Sequence, residues 1–357
     1  MVKQKKHTRY AIRKNYAINW AILGALDLKA KDLIGQLNQQ CSYTEHYFAY
    51  IIRVFKDDSN ILKPFFCLFS FQATICSPPC LLVSNTSDIV SIDYNTAAVH
   101  SIISGLTRAV AIDVHFSLGY IFWSDVTEKN IKRLHIDTAS TTTIITGIGV
   151  CDGLAVDWRT SQLYWTDTTY NKISVSDING NNQRTLISSG LEKPREITLD
   201  PDHDLLIWTD WGSHPKIERS SLSASQRIAI VTTNIQWPNG IELDKGNKRT
   251  FWVDARMDKI ETVDYNGNNR KVLFQQSGLH PFGVALIPPF LFFTDWNTQK
   301  EVHKLDATTG NVLSSYGTIG GRPMGIVVYS DAQQPAGNWM LHMRHIRVCK
   351  DCSNVNN

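Results

Sequence analysis

The chain has 357 residues, of which 43% are hydrophobic and 19% charged, so wholesale disorder is excluded and one large domain or two ordinary ones fit. The formal net charge is +3, but residues 1–33 hold eight Lys or Arg against two Asp, and the remainder is acidic. Because the positive charge is confined to one end, the composition does not indicate a nucleic-acid-binding protein. Of the seven cysteines, only Cys151 lies between residues 81 and 348, which excludes a disulfide framework there.

Residues 1–80 follow no recognisable domain pattern. The apolar run Ala17–Leu26 follows a basic stretch, as in a signal peptide, but Asp27 comes at once and no small-residue cleavage pattern follows. A second apolar run, Pro64–Pro79, is too short and too polar at its end to cross a bilayer. We therefore leave residues 1–80 unassigned, as a segment that is disordered or comes from an imperfect gene model, with a divergent N-terminus as the alternative.

Short β-branched and aromatic segments bounded by turn residues begin at residue 81. The segments LLVSN (81–85), DIVSIDY (88–94) and HSIIS (100–104) predict the second, third and fourth strands of a unit that lacks its first. Five complete units follow, and each contains a phrase that ends in an aromatic residue, a small residue and Asp. The phrase recurs about every 42 residues, at Phe122–Asp125, Leu163–Asp167, Ile207–Asp210, Phe251–Asp254 and Phe292–Asp295.

Each unit has the composition of one propeller blade. A run such as LAVD (154–157) precedes the phrase, a run ending in turn residues follows it, and a short run such as RTLIS closes the unit. Four antiparallel strands in about 42 residues form one blade, which cannot bury both faces alone. A final segment, MGIVVYS (324–330), supplies the missing first strand. The sequence therefore predicts an all-β fold, a six-bladed propeller of four-stranded blades over residues 81–338, closed by the C-terminal strand joining the first blade.

The repeated residues are predicted to be structural. Catalytic carboxylates are paired in one pocket, whereas these Asp residues recur once per blade and are placed to accept hydrogen bonds from turn amides. The aromatic residue of each phrase is predicted to be buried between neighbouring sheets. The predicted structural set is Asp125, Asp167, Asp210, Asp254 and Asp295 of the phrases, Asp113, Asp157, Asp200 and Asp244 of the first strands, and the aromatic residues Trp123, Trp165, Trp208, Trp252 and Phe293.

Function is expected in the loops, where the units differ. The loops that lead into the first strands and those that follow the phrases open onto one face of the ring. Aromatic, Arg and Met side chains beside acids are typical of a protein-binding surface. Trp237 and Asn239 do not recur in the other units, which makes them the first candidates. The residues of this face are Arg108, Asp152, Lys193, Pro194, Arg195, Trp237, Pro238, Asn239, His280, Pro281, Phe282, Arg322, Pro323 and Met324 in the leading loops, and Glu128, Tyr170, Trp211, His214, Arg256 and Trp296 after the phrases.

Residues 80–338 resemble the YWTD propeller of the low-density lipoprotein receptor family. The phrases FWSDV, LAVDW, LYWTD, EKPR, WTDWG, PKIE, WPNG, HPF and QQPAGN carry the resemblance, which is strongest to the first propeller of receptor-related proteins four, five and six, the agrin receptor and the Wnt co-receptors. The resemblance implies a non-enzymatic, extracellular, ligand-binding propeller of a single-pass cell-surface receptor in Wnt or agrin-type signalling. It implies no cofactor and no metal.

The resemblance also implies a ligand and a site. In the related propellers this face binds extracellular proteins, such as Wnt antagonists and agrin, through an Asn-x-Ile or Asn-x-Val tripeptide. By this carry-over Asn239 exchanges amide hydrogen bonds with the ligand Asn, Trp237 supplies apolar contact, and Arg195 bonds the ligand or braces the site. The predicted ligand-binding set is completed by Trp211, Phe282, Met324 and Glu128. A net charge near −5 over residues 81–338 suits the basic ligands of this family.

The flanks depart from the family pattern. There the propeller is followed by a cysteine-rich, growth-factor-like module, which we expect as its neighbour in the full-length protein. Here the similarity ends at Asn338, and residues 339–357 form a divergent tail in which Cys349 and Cys352 are assigned no zinc or redox role. The single N-glycosylation sequence predicts a glycan on Asn85 if the chain is secreted. Cys151 is expected to be a buried, inert thiol.

Two other functions compete with the receptor reading. A matrix or basement-membrane protein of the nidogen type would share the propeller and differ only in its flanks. A hydrolase on the same fold, such as a lactonase, needs a metal or a nucleophile cluster in the central channel, whereas the histidines of this ring are scattered over different blades. The resemblance favours the receptor over both.

Overall fold

A computed structural model describes residues 49–54, 65–70, 75–297, 301–316 and 319–335. The signal-like run Ala17–Leu26, the predicted end of the propeller at Asn338 and the tail with Cys349 and Cys352 lie outside the described residues. The chain divides into two compact units, Met1–Ala73 and Thr74–Asn357. In the first unit, β1 (Ala49–Val54) and β2 (Phe65–Ser70) form an antiparallel pair with Ala49 opposite Ser70.

The second unit is a ring of six four-stranded antiparallel sheets, which confirms the predicted fold. Blade 1 contains β3 (Cys80–Asn85), β4 (Asp88–Ile92) and β5 (Val99–Ile103). Blade 2 contains β6 (Ala109–His115), β7 (Tyr120–Asp125), β8 (Asn130–His135) and β9 (Ser140–Thr146). Blade 3 contains β10 (Leu154–Asp157), β11 (Gln162–Asp167), β12 (Lys172–Asp177) and β13 (Arg184–Ile187). Blade 4 contains β14 (Pro194–Asp200), β15 (Leu205–Asp210), β16 (Lys216–Ser220) and β17 (Ile228–Val231). Blade 5 contains β18 (Pro238–Asp244), β19 (Arg249–Asp254), β20 (Lys259–Asp264) and β21 (Lys271–Gln275). Blade 6 contains β22 (Pro281–Ile287), β23 (Phe290–Asp295), β24 (Val302–Asp306) and β25 (Val312–Tyr316).

The ring closes through β26 (Pro323–Tyr329), which is the first strand of blade 1. It runs antiparallel to β3, with Pro323 opposite Asn85 and Tyr329 opposite Cys80. A hydrogen bond from Asn85 to the Ile319 carbonyl joins residues 234 positions apart in the chain. The predicted closure is therefore confirmed, and it removes the open sheet edges of a linear array.

The apolar core lies between neighbouring blades. Trp123 of blade 2 packs with Leu82 and Ile89 of blade 1, and Phe292 of blade 6 packs with Leu81 and Val83. The aromatic residues of the phrases are at most 2% exposed, as expected for large side chains that join two sheets. These are Trp123, Trp165, Trp208, Trp252 and Phe293.

The Asp that ends each phrase is fully buried and binds backbone amides. Asp254 accepts hydrogen bonds from the N–H groups of Gln236 and Trp237 in the leading loop, and from Arg256 and Met257 in the turn after its own strand. The carboxylate thus holds the start of the first strand against the end of the second. The equivalent residues Asp125, Asp167, Asp210 and Asp295 bind loop amides in the same way.

One member of the first-strand Asp set was misplaced by the sequence pattern. Ile112 pairs with Trp123 as Leu154 pairs with Trp165, so His115 and not Asp113 occupies the position of Asp157. Asp113 sits two residues earlier, where it accepts the backbone N–H groups of Val114 and of Val156 in the next blade. Its side chain therefore faces the ring axis.

Asn85 is the sixth copy of the phrase Asp. Its Oδ1 accepts the N–H groups of Ser87 and Asp88 in the following turn, and its Nδ2 donates to the Ile319 carbonyl in the leading loop. The side chain is fully buried. This geometry leaves no room for a glycan on Nδ2 and argues against the predicted glycosylation.

The cysteines of the described region have two environments. Cys76 and Cys80 form a disulfide bond at the start of blade 1. Cys151 is a free, buried thiol, and burial raises its pKa well above the ordinary value, which keeps it protonated and unreactive. None of the described residues belongs to a helix long and apolar enough to span a bilayer.

Candidate ligand-binding face

The start of each first strand and the end of each second strand lie at the same edge of the ring, which we call the top face. Pro194 pairs with Asp210, and Pro238 pairs with Asp254. The leading loops and the loops after the phrases therefore meet there, as the sequence predicts. Aromatic side chains lie in the loop after the phrase of blade 4, in the leading loop of blade 5 and in both loops of blade 6.

Four aromatic side chains of these loops form a continuous row, which we call the aromatic arc: Trp211, Trp237, His280 and Trp296. The ring centres of Trp211 and Trp237 are 5.2 Å apart, and those of Trp237 and His280 are 6.3 Å apart. His280 stacks on Trp296 with an interplanar angle of 16° and a separation of 5.1 Å. The arc thus runs from blade 4 across blade 5 to blade 6.

Three arginines lie over the rings of the arc. The guanidinium carbon of Arg195 is 4.6 Å from the ring centre of Trp211. The corresponding distance from Arg256 to Trp237 is 5.4 Å, and that from Arg322 to Trp296 is 5.0 Å. Such cation–π contacts hold a flexible side chain flat while the edge of the guanidinium stays available for hydrogen bonds.

A largely buried ion pair fixes the blade 4 end of the arc. Arg195 donates to Asp152 of the blade 3 leading loop at 2.6 Å, and the two side chains are only 15% and 7% exposed. The hydroxyl of Thr168 donates to the same carboxylate at 3.1 Å. Because both charges are satisfied inside the protein, Arg195 acts mainly as a brace for Trp211.

His280 sits in the middle of the arc and is neutral at physiological pH. Its partial burial lowers the pKa of the imidazole below the ordinary value. The nearby cations Arg322 and Arg195 act in the same direction, while Asp295 and Asp258 oppose them. The arc therefore presents four uncharged rings to a partner.

Asn239 lies beneath the arc and is only 2% exposed. Its Nδ2 donates to the Pro281 carbonyl of blade 6 at 3.1 Å, while its Oδ1 has no hydrogen-bond partner among the described residues. A Cβ on the next residue, Gly240, would lie 2.6 Å from the Phe282 carbonyl oxygen, so this position requires glycine. Asn239 therefore presents one unpaired acceptor from a closely packed strand start.

Phe282 and Met324 are placed differently from the sequence prediction. They are 4% and 2% exposed, and they pack with Val110 in a small apolar cluster. Phe282 stacks on Trp296 at 4.7 Å. Both residues support the arc from below, and their predicted direct contact with a ligand stays a prediction that, as for Asn239, requires the arc to move.

Glu128 lies on blade 2, away from the arc. It accepts hydrogen bonds from Thr107 and Asn130 and pairs with Lys132 at 2.7 Å. The hydrogen bond from Lys132 and those from Asn130 and Thr107 lower the pKa of Glu128 to about 2. Its described contacts do not connect it with Trp237 or Arg195.

The arc contains side chains that the predicted ligand-binding set omitted. Trp296, His280, Arg256 and Arg322 belong to the predicted face, but nothing in their spacing shows that they stack on one another. The sequence holds one signal of this arrangement. Trp211 and Trp296 each follow a phrase Asp directly, so equivalent loop positions in blades 4 and 6 carry the same residue.

The first strands of all six blades line a central channel below the top face. Enclosure raises the pKa of Asp113 to about 7, of Glu196 to about 8 and of Glu242 to about 7. Gln334 closes the far end with a hydrogen bond to the Val114 carbonyl. In the part of the chain that the structure describes, no three His, Cys, Asp or Glu side chains are grouped to hold a metal ion.

Sequence comparisons identify the repeats. Residues 161–201, 204–244 and 248–287 match the low-density lipoprotein receptor repeat class B. The chain is 35% identical over 147 residues to the vitellogenin receptor Yl of Drosophila melanogaster, and 32% identical over 143 residues to the low-density lipoprotein receptor-related protein 5-like protein of Homo sapiens. These matches cover 41% and 40% of this chain but only 7% and 57% of the two relatives.

Solved structures share the same fold. The chain is similar to a propeller in a crystal structure of a nidogen–laminin complex, with 27% identity and a TM-score of 0.66, over 70% of this chain and 98% of that chain. A gluconolactonase from Xanthomonas campestris is 14% identical with a TM-score of 0.55, over 70% of this chain and 88% of the enzyme. At that identity the likeness to the enzyme concerns the fold alone.

Proposed function

This chain carries low-density lipoprotein receptor class B repeats folded as a six-bladed propeller, and on that premise we propose that it binds extracellular protein ligands through the aromatic arc. The observation that carries the proposal is the row of Trp211, Trp237, His280 and Trp296, flanked by arginines, on one face. Trp and Arg are the residue types that dominate binding energy in protein interfaces.

We further propose that the chain acts outside the cell as part of a cell-surface receptor in Wnt or agrin-type signalling. Two sequence relatives are receptor proteins, which supports this placement. The Cys76–Cys80 disulfide suits an oxidising compartment. The proposal includes an adjoining growth-factor-like module in the full-length protein.

The proposed ligand motif is an extended Asn-x-Ile or Asn-x-Val tripeptide. The unpaired Oδ1 of Asn239 offers an acceptor for the amide N–H₂ of the ligand Asn. Trp237, which is half-buried and next in the same loop, offers an apolar surface for the ligand Ile or Val. Because Asn239 is only 2% exposed, binding requires the arc to shift aside or the ligand Asn to enter from the channel mouth.

Titration of the full chain with an Asn-x-Ile peptide tests the proposal. Trp237→Ala removes the centre of the arc and is expected to weaken binding at least about tenfold, the loss typical of an interface hot spot. Tyr170→Ala is the control, because Tyr170 is a 59% exposed aromatic on the same face, in the loop after the phrase of blade 3 and outside the arc. Equal affinities for the wild type and Trp237→Ala would rule out the arc as the site.

A matrix-protein function is the second candidate, supported by the similarity to the propeller of a nidogen–laminin complex. It uses the same top face, so the Trp237→Ala titration does not separate it from the receptor function. A pull-down of basement-membrane proteins by the full chain separates them, since a receptor fragment is not expected to retain laminin-type partners. The relatives matched in sequence are receptor proteins, and we do not propose a hydrolase.

A further inference from the structure

Blades 4 and 5 share an ionic set around the aromatic residue of the phrase. In blade 5, Glu261 lies opposite Trp252 and pairs with both Lys259 and Arg270 at 2.8 Å. The guanidinium carbon of Arg270 is 5.2 Å from the Trp252 ring centre. Blade 4 repeats the arrangement with Lys216, Glu218, Arg227 and Trp208.

Backbone carbonyls complete the guanidinium site in both blades. Arg270 donates to the carbonyls of Thr233 and Asn234 in the loop that precedes the blade. Arg227 donates to the carbonyls of Ser189 and Gly190 in the same way. The fold therefore builds a place for one guanidinium between an aromatic ring, an acceptor side chain and a loop.

Blade 6 has the same frame with different side chains. Phe293 takes the position of the Trp, and His303 lies opposite it in place of the Glu. Glu301 takes the position of the Lys, since its carbonyl accepts the N–H of Asp295. Val312 pairs with Leu305, two residues beyond His303, and so takes the position of the Arg.

A cavity remains where the guanidinium lies in blades 4 and 5, and we call it the blade 6 pocket. It is lined by Phe274, Leu279, Phe293, Glu301, His303 and Val312. The imidazole stacks on Phe293 at 4.7 Å, and its Nδ1 is 2.7 Å from the Ser315 hydroxyl. Its Nε2 is buried, has no hydrogen-bond partner among the described residues and lies 3.9 Å from the Asp295 carboxylate.

We propose that the blade 6 pocket binds the guanidinium group of an arginine side chain supplied by a partner protein. The ring pair of Phe293 and His303 provides a surface for stacking, as Trp252 does for Arg270. In the tautomer in which Nδ1 donates to the Ser315 hydroxyl, Nε2 presents a lone pair to a guanidinium N–H, and the Asp295 carboxylate 3.9 Å from Nε2 favours a cation there. Glu301 supplies the carboxylate.

The local charge of the pocket matches this ligand. The sets of blades 4 and 5 hold two cations and one anion each, whereas the equivalent positions of blade 6 hold the anion Glu301 and no Lys or Arg. One guanidinium from a partner would supply the cation that these positions of blade 6 lack. Lysine is a poorer fit, because its ammonium group neither stacks on a ring nor forms two parallel hydrogen bonds.

The pocket extends the top face outward. Leu279 lines the pocket, and the next residue, His280, belongs to the aromatic arc. A partner that rests on the arc can therefore place an arginine in the pocket within the same contact. The binding of a guanidinium nevertheless stands independently of the tripeptide ligand proposed above.

The test is an NMR titration of the full chain with N-acetylarginine amide, followed at His303 and Ser315. Saturable shifts in the millimolar range are expected, and N-acetylcitrulline amide, which has the same shape without the charge, should produce none. Glu301→Gln should weaken arginine binding about fivefold, as expected for loss of one partly exposed carboxylate. Equal shifts from the citrulline derivative would overturn the proposal.

A second variant separates the pocket from a non-specific surface. The double change His303→Glu and Val312→Arg introduces a Glu–Arg pair equivalent to Glu261 and Arg270 of blade 5. The new guanidinium fills the pocket from within the chain, so arginine binding should disappear. Retention of the shifts in this variant would contradict the proposal. Trp237→Ala should leave arginine binding unchanged, so failure of the arc and failure of the pocket are distinguishable.

Discussion

The same residue type has different roles according to which side of the ring it faces. Trp208 is fully buried between sheets, whereas Trp211, three residues later, is half-buried and belongs to the aromatic arc. The Asp between them, Asp210, binds the amides of the leading loop and so fixes the direction in which Trp211 emerges. A structural residue thus positions a binding residue.

The buried and exposed members of the WPNG loop could not be separated from the sequence. Pro238 pairs with Asp254, but regular pairing resumes only at Ile241, because a bulge interrupts the register. Strict alternation of side chains is lost across such a bulge. Trp237 therefore lies on the surface, as predicted, while Asn239 is unexpectedly buried.

The channel carboxylates make the stability of the ring pH-dependent. Enclosure raises the pKa of Glu242 from 4.5 to about 7, so its contribution to folding is present below pH 4.5 and is lost as the pH rises through 7. The Glu242→Gln variant has no titratable group at this position. Its stability relative to the wild type should increase by about 2 kcal/mol between pH 5 and pH 8, measured by urea denaturation.

Glu128→Gln is the control variant, and its stability relative to the wild type should change with pH in the opposite direction. The hydrogen bonds from Lys132, Asn130 and Thr107 lower the pKa of Glu128 to about 2, so the charged form stabilises the fold above the unfolded pKa. The stability of this variant relative to the wild type should fall as the pH rises from 3 to 5. A Glu242→Gln curve parallel to the wild type would show that the channel carboxylate is not the cause.

At the scale of the elements, the turn residues in the sequence closely predict the positions of the strands. The third strand of blade 1, predicted to end at Tyr94, ends at Ile92, because Asp93 accepts the N–H groups of Asn95 and Thr96 and starts a turn. Such a side-chain hydrogen bond offers the backbone an alternative to the sheet. The turn-forming residue Asp93 is visible in the sequence, but the sequence prediction includes it in the strand.

The ionic set is the element-level feature that distinguishes blades 4 and 5. Glu261 is 3% exposed between Lys259 and Arg270, so Glu261→Gln leaves two cations without a counter-charge. A loss of about 3 kcal/mol in the free energy of unfolding is expected from urea denaturation. Ser174→Ala, at the equivalent position opposite Trp165 in blade 3, should cost far less. A loss equal to that of Ser174→Ala would show that the set does not stabilise the blade.

At the scale of the whole molecule, the period predicts five complete blades, and the incomplete unit at residues 81–104 together with the final segment 324–330 predicts the sixth blade and the closure. Residues 81–338 carry a net charge near −5, which predicts basic ligands. The structure places Arg256 and Arg322 over the rings of the arc, beside Arg195 with its partner Asp152, so the arc itself carries cations. Net charge averages over all faces of the ring and cannot describe one of them.

The closing strand should be essential for a cooperative fold. Val328 of β26 is 4% exposed and packs in the cluster that joins blades 1 and 6. Val328→Asp places a charge in that cluster and is expected to lower the free energy of unfolding by more than about 4 kcal/mol, with loss of a single thermal transition.

Leu313→Asp on the outer strand β25 is the matched control, because Leu313 is 49% exposed. It should retain the wild-type melting temperature within a few degrees. If Val328→Asp also melts like the wild type, ring closure through β26 is not what holds the first and last blades together.

The closure between β3 and β26 has a consequence for biosynthesis. A ribosome completes β3 more than 230 residues before the strand that pairs with it, as the separation of Asn85 and Ile319 shows. Until β26 emerges, the nascent chain holds blades with an unpaired edge, a state prone to association with other chains. Premature termination anywhere before residue 323 would therefore not yield a smaller ring. It would yield an open array of blades with an unpaired strand edge, which is prone to aggregation, so folding of the ring depends on translation reaching β26.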